Sequence, residues 1–203
     1  MPTSSPICQG NPHTRVGGGP ALASFPEDVQ QEVLLTAEAI RNRVKELGEA
    51  ISRDYRGEQV FLVGVLKGAW VFLADLARHI TVPASFDFMS VSSYGASTQT
   101  SGVVQIIKDL EESIEGRHVL IVEDIVDTGL TLTYLVELLK TRHPASLKVC
   151  VLLDKPSRRA TPVRLDYVGF EIPEAFVVGY GLDFAGQYRH VPHIFTLRSE
   201  VYS

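Results

Sequence analysis

Cysteine is almost missing from this sequence: Cys8 sits in a polar stretch near the start and Cys150 inside an apolar run, two among 203 residues. No disulfide framework can be built from that pair, and a reducing, cytoplasmic setting is expected. Missing as well is any apolar stretch of the roughly 20 residues needed to cross a bilayer. The N-terminus does not open with basic residues followed by an apolar segment, so no membrane partner is expected. Positive charge is in deficit, with 19 Lys and Arg against 24 Asp and Glu for a net −5. Non-specific nucleic-acid binding needs a basic surface that neutralises phosphates, so no nucleic-acid partner is expected either. Small polyanions stay open, because a few backbone N–H groups, a lysine or a metal ion can hold them whatever the total charge.

What is present has the make-up of a globular domain, 45% apolar and 21% charged, over a length suited to one core. Residues 1–25 are rich in Pro, Ser, Gly and Thr, including Gly17-Gly18-Gly19-Pro20. They offer little apolar surface to offset the entropy of ordering and read as a flexible leader to a single domain over 26–203.

Within that domain the periodicity alternates. A short apolar run at 32–35 precedes Thr36, which can cap a helix carrying Ile40, Val44, Leu47 and Ile51 on one face, with Gly57 closing the segment. Residues 60–65 form an apolar strand, followed by a helix over 70–78 with Trp70, Leu73, Ala74 and Ala77 at helical spacing. The pattern repeats with a strand at 119–122, a helix carrying Leu132, Leu135, Val136 and Leu139, and a strand at 149–153. Continuous apolar strands alternating with helices imply an α/β fold, a parallel central sheet flanked by helices on both faces. Residues 92–102, small and polar, lie between the strand-like segments 86–89 and 103–107 and read as a long mobile loop joining two antiparallel strands.

The chemistry concentrates in Val122-Glu123-Asp124-Ile125-Val126-Asp127-Thr128-Gly129-Leu130-Thr131, where an apolar strand runs into acids and then into a turn that opens a helix. Ligands of an open parallel sheet bind beyond the carboxyl ends of its strands, where helix N-termini present N–H groups to anions. Residues Thr128, Gly129, Leu130 and Thr131 are therefore expected to cradle a phosphate. Acids beside such a cradle would repel the ligand unless they face ribose hydroxyls or a Mg²⁺, which binds through one or two carboxylates and substrate phosphates. Taken singly, each acid could equally be a helix-start residue complementing the dipole.

This string resembles the phosphoribosyl-pyrophosphate signature of type I phosphoribosyltransferases. Further segments, in the expected order over about residues 30–200, resemble the hypoxanthine-guanine branch of that family. The resemblance implies a Mg²⁺-dependent transfer of ribose 5-phosphate from phosphoribosyl pyrophosphate to a 6-oxopurine, by an enzyme that is a homodimer or homotetramer. It assigns Asp127 to the purine N7 proton and, with Thr128, Gly129, Leu130 and Thr131, to the phosphate-binding loop, Glu123 and Asp124 to the ribose and metal, and Lys67 and Gly68, in Leu66-Lys67-Gly68, to the pyrophosphate. Ser93 and Tyr94 resemble the pair in the family's flap, which closes over the reacting groups. Lys155, in Leu153-Asp154-Lys155-Pro156, corresponds to the lysine that donates to the exocyclic oxygen. Adenine carries an amino group there and would leave that lysine without its acceptor.

The segment from Phe170 to Arg189 resembles a base-binding hood, formed mainly by about 166–203. In it Phe176 stacks on the purine, the Val177 backbone reads the base edge, Asp183 binds the base and Mg²⁺, and Arg189 meets pyrophosphate. At Leu130 some family members carry Lys; Leu still leaves its N–H available. The signature also serves pyrimidine and regulatory members. A nucleic-acid-binding regulator would need the basic face that this chain lacks.

Overall fold

The computed structural model describes residues 30–93 and 104–198; the leader at 1–25 and most of the 92–102 loop, Tyr94 included, lie outside the described residues. Among the described residues nine strands and three α-helices follow in the order β1 (Gln30–Leu35), α1 (Ala37–Asp54), β2 (Val60–Leu66), α2 (Trp70–Ala77), β3 (Ala84–Ser93), β4 (Val104–Lys108), β5 (His118–Val126), α3 (Leu130–Lys140), β6 (Ser146–Asp154), β7 (Tyr167–Glu171), β8 (Val177–Val178) and β9 (Ile194–Leu197). A six-stranded sheet runs β4-β3-β2-β5-β6-β7, and a three-stranded sheet runs β1-β9-β8. Only the β3-β4 pair of the large sheet is antiparallel.

The strand alternation puts an apolar residue on each face at every step. Val60, Leu62, Leu120, Val122, Cys150 and Leu152 pack on the side of α1 and α2. Phe61, Val63, Val119, Ile121, Val149 and Val151 pack on the side of α3 with Leu132, Leu135 and Leu139. A sheet apolar on both faces needs cover on both, and the helices supply it. Thr36 caps α1 by accepting from Ala39 N at 3.2 Å, the expected Ile40, Val44, Leu47 and Ile51 are buried, and Gly57 takes φ +87° in the turn beyond.

The expected face of α2 is corrected. Ala69, Phe72, Leu73 and Leu76 are its buried stripe, while Trp70 is 48% exposed. This short helix is apolar almost all round, so two i, i+3, i+4 series compete and the sheet decides between them.

The small sheet combines both ends of the domain: β9 pairs with β8 and, at the other side, with β1. The 166–203 segment is thus divided, since β7 extends the large sheet beside β6. Val178, Val191, Phe195 and Leu197 form the small sheet's own cluster. Tyr180 fastens it to α2 by donating to Asp75 Oδ2 at 2.8 Å. No helix among the described residues is long and apolar enough to cross a membrane.

Candidate active site

The large sheet brings the sequence-predicted residues from three separate segments to one edge. Lys67 and Gly68 follow β2, the acids close β5, and Lys155 follows β6, and these three strands are parallel neighbours. The register sets Val126 opposite Asp154, so that Asp127 and Lys155 leave adjacent strands at the same level. Their strand ends are stitched together by Lys155 N–H, which donates to Val126 O at 2.9 Å.

Beyond β5 the chain turns through Gly129 at φ +83°, the N-cap position of α3. A cavity of about 150 Å³ opens here, lined by Glu123, Asp127, Thr128, Gly129 and Thr131 among others. The turn is braced from behind: Ala160 and Thr161 N–H donate to Thr128 O at 2.9 and 3.1 Å, and Arg159 Nε donates to Asp127 O at 3.2 Å. The Arg159 guanidinium also pairs with Asp154. A rigid turn with an outward helix N-terminus is what holds a phosphate. Leu130 N–H reaches the Thr128 hydroxyl at only 3.4 Å, a weak contact that an anion can replace.

Glu123 is buried, whereas Asp124 is partly exposed. Burial, followed by the adjacent Asp124 charge, pushes the Glu123 carboxyl well above the usual range. Asp124 is raised by burial too, against the Arg189 charge, which acts the other way. The Asp124 carboxylate occupies the space where any side chain at position 68 would begin, so a larger residue at 68 would displace that carboxylate. The Leu66–Lys67 peptide is cis, and Lys67 is exposed.

Glu123 lines the cavity beside the 128–131 turn and Asp124 lies against Gly68; adjacent carboxyls of this kind are oxygen donors of the type Mg²⁺ takes. The described residues gather no group of three or more His, Cys, Asp or Glu fit to hold a metal alone.

The small sheet closes the site from the other side. Lys155 is 7% exposed, and its Nζ donates to Ala175 O at 2.6 Å. Burial lowers its pKa, partly offset by the Asp127 charge. An ammonium has three donors, and two remain for a ligand. Phe176, next in sequence, is 41% exposed and packs edge-on against Phe184, while Val177 is buried in β8. Arg189 and Asp183 pair at 2.5 Å. Arg189 Nη1 also donates to Gly181 O at 2.6 Å, and Asp183 Oδ2 accepts from Gly186 N at 2.7 Å. Gly181, at φ +101°, lies so close to the Gly68 carbonyl that a Cβ would collide with it, which joins the hood to the β2 loop.

Ser93 ends β3, but its side chain and all of Tyr94 fall outside the described residues. Sequence reasoning passed over Arg158, Arg159 and Glu174. The only sign of them was a basic pair following the strand that ends in Asp154. A larger cavity of about 480 Å³ lies between α3, the start of β6 and the chain near Pro162. It contains none of these groups, and Lys140 and Arg164 on its rim are already paired with Glu137 and Asp166.

A model of the phosphoribosyl transferase domain matches residues 30–185. The hypoxanthine-guanine phosphoribosyltransferase of Mycobacterium avium is 54% identical over 184 residues, covering 88% of this chain and 90% of the relative. That of Bacillus subtilis is 54% identical over 172 residues, covering 85% and 96%. Among solved structures, the crystal structure of a hypoxanthine phosphoribosyltransferase from Staphylococcus aureus superposes with a TM-score of 0.86 at 50% identity, covering 90% of this chain and 99% of that one.

Proposed function

The chain belongs to the phosphoribosyltransferase family, and from that premise we propose that it is a purine-salvage enzyme, transferring the 5-phosphoribosyl group of phosphoribosyl pyrophosphate to N9 of hypoxanthine or guanine. The products are IMP or GMP and pyrophosphate. The observation that carries this reading is the convergence of three groups on one sheet edge: the braced turn at 128–131, the Lys67-Gly68 loop, and buried Lys155 beside Asp127.

The 5-phosphate sits on the N–H groups and hydroxyls of Thr128, Gly129, Leu130 and Thr131. Lys67, Gly68 and Arg189 receive the pyrophosphate. As the C1–O bond lengthens the ribose gains oxocarbenium character, and fixed charges around it are the main source of acceleration. A bound Mg²⁺ would neutralise charge on the leaving pyrophosphate, and Glu123 and Asp124 on the β5 side or Asp183 on the hood side are the residues that would hold it together with substrate oxygens. N9 attacks C1 while the N7 proton passes to Asp127.

Lys155 donates to the exocyclic oxygen, which selects 6-oxopurines over adenine. Phe176 covers the purine face, Val177 reads its edge through the backbone, and Asp183 contacts the base as well as the metal. By resemblance Ser93 and Tyr94, the latter outside the described residues, belong with the groups that keep water from the ribose cation. The enzyme works in the cytoplasm as a homodimer or homotetramer. Exposed Trp70 and Phe86 are apolar surface that such an assembly would cover.

The test is pyrophosphate release from phosphoribosyl pyrophosphate, followed with and without hypoxanthine. One pyrophosphate per IMP, formed only when base is present, is the expected result. Release without base, or no nucleotide, would remove the transferase assignment.

A further inference from the structure

Arg158 ends the single 3₁₀ turn Pro156–Arg158, which begins directly after Lys155. Its guanidinium spans two acids. Nε donates to Asp127 Oδ1 at 2.9 Å, and Nη1 donates to Glu174 Oε1 at 3.1 Å. Asp127 belongs to the loop that supplies the proton acceptor, and Glu174 stands two residues before Phe176, which supplies the stacking ring. One planar group therefore connects the two sides of the base site. Among the described residues Arg158 donates the hydrogen bond to the Asp127 carboxylate, on Oδ1, while Arg159 hydrogen-bonds the Asp127 carbonyl.

Folding does not explain the arrangement. The Arg158 and Asp127 side chains are 47% and 39% exposed, and ion pairs in such surroundings add little to stability. Catalysis does explain it, because a carboxylate free to rotate about two bonds presents its acceptor poorly. A planar guanidinium held at its other end by Glu174 presents a fixed Nε–H to Asp127 Oδ1 and so limits that rotation.

We propose that Arg158 is a positioning residue of the transfer reaction: it grips Asp127 Oδ1, aims Oδ2 at the purine N7, and through Glu174 ties that aim to the seating of the hood. The inference rests on the reading above that Asp127 takes the N7 proton. Arg158 touches neither reacting group and acts through Asp127 alone. The phosphate turn keeps its own braces from Arg159, Ala160 and Thr161 whatever stands at 158.

Steady-state kinetics of R158A, R158K, E174Q and D127N test this, with melting curves of each. Misplacing a reacting group by about 1 Å costs up to about 10² in rate, so R158A is expected to lose about 10- to 100-fold in kcat. Its KM for phosphoribosyl pyrophosphate should stay within about twofold of wild type, and its Tm within about 2 °C. R158K keeps one contact without the two-ended fork and should recover part of the loss. E174Q should fall between wild type and R158A, and the R158A/E174Q double variant should be no slower than R158A, since both act on one contact.

A kcat for R158A within about twofold of wild type, with D127N slow, would overturn the inference and leave the reading of Asp127 standing. Full turnover by D127N would overturn both. A loss in R158A that comes with a lower Tm and an equally raised KM for phosphoribosyl pyrophosphate would make Arg158 a structural residue and also sink the inference.

Discussion

Asp87 is a buried carboxylate that the proposed reaction does not use, and it shows what a satisfied one looks like in this protein. It is 7% exposed and accepts from the backbone N–H groups of Phe88, Glu111 and Glu112 as well as from Lys108 Nζ. Burial acts to raise its pKa, but those donors outweigh burial and hold it below the ordinary value. With the folded pKa depressed below an unfolded value of about 3.9, its stabilisation is complete above that pH and lost as the pH falls through the folded pKa. D87N is expected to lower stability by about 1–3 kcal/mol at pH 7, because the amide puts a donor where a backbone N–H needs an acceptor. Its acid limb should also be flatter than wild type. Urea titrations from pH 7 to pH 3 check both, and equal, parallel curves would refute the account of Asp87. The contrast with Glu123 is informative, since that carboxyl is raised by burial and by its neighbour and has no such set of donors. Ordered spacing made Glu123, Asp124 and Asp127 legible as a candidate site in the sequence. Arg158 was not legible, because its role depends on a 31-residue separation closing in space.

The decisive element is the β5-turn-α3 unit. Its strand, acids and helix are contiguous in sequence, which is why the turn proposed to hold the phosphate, and its place at the sheet edge, could be read beforehand. Gly129 holds the unit's sharpest requirement: φ is +83° and a Cβ would come within 2.7 Å of the Thr161 carbonyl. G129A is expected to lose at least about 1–2 kcal/mol from the left-handed backbone alone, with a raised KM for phosphoribosyl pyrophosphate as the turn shifts. Wild-type melting together with a wild-type KM would show that the turn does not set phosphate binding. The hood was less legible as an element. Its strands β8 and β9 are two and four residues long and pair with β1 from the far end of the domain, so no local period announces them. The outward turn of Trp70 belongs to the same class, because an all-round apolar helix carries no record of which side meets the sheet.

At the scale of the whole molecule, the α/β architecture followed from strands apolar at every position, a pattern that only a sheet covered on both faces explains. Function followed less directly. Composition and charge argued against a membrane-crossing helix and a broadly basic surface, yet they could not have chosen a base. The choice rests on Lys155, a buried donor between β6 and the hood, and on carboxylates that suit a divalent cation. The most direct test is nucleotide formation followed by ultraviolet absorbance, with phosphoribosyl pyrophosphate and each of hypoxanthine, guanine, xanthine, adenine and uracil, in Mg²⁺ and again in excess chelator. The account predicts IMP or GMP in Mg²⁺, loss of that activity in chelator, and no product from adenine. Turnover of adenine at the hypoxanthine rate, or full activity in chelator, would contradict it.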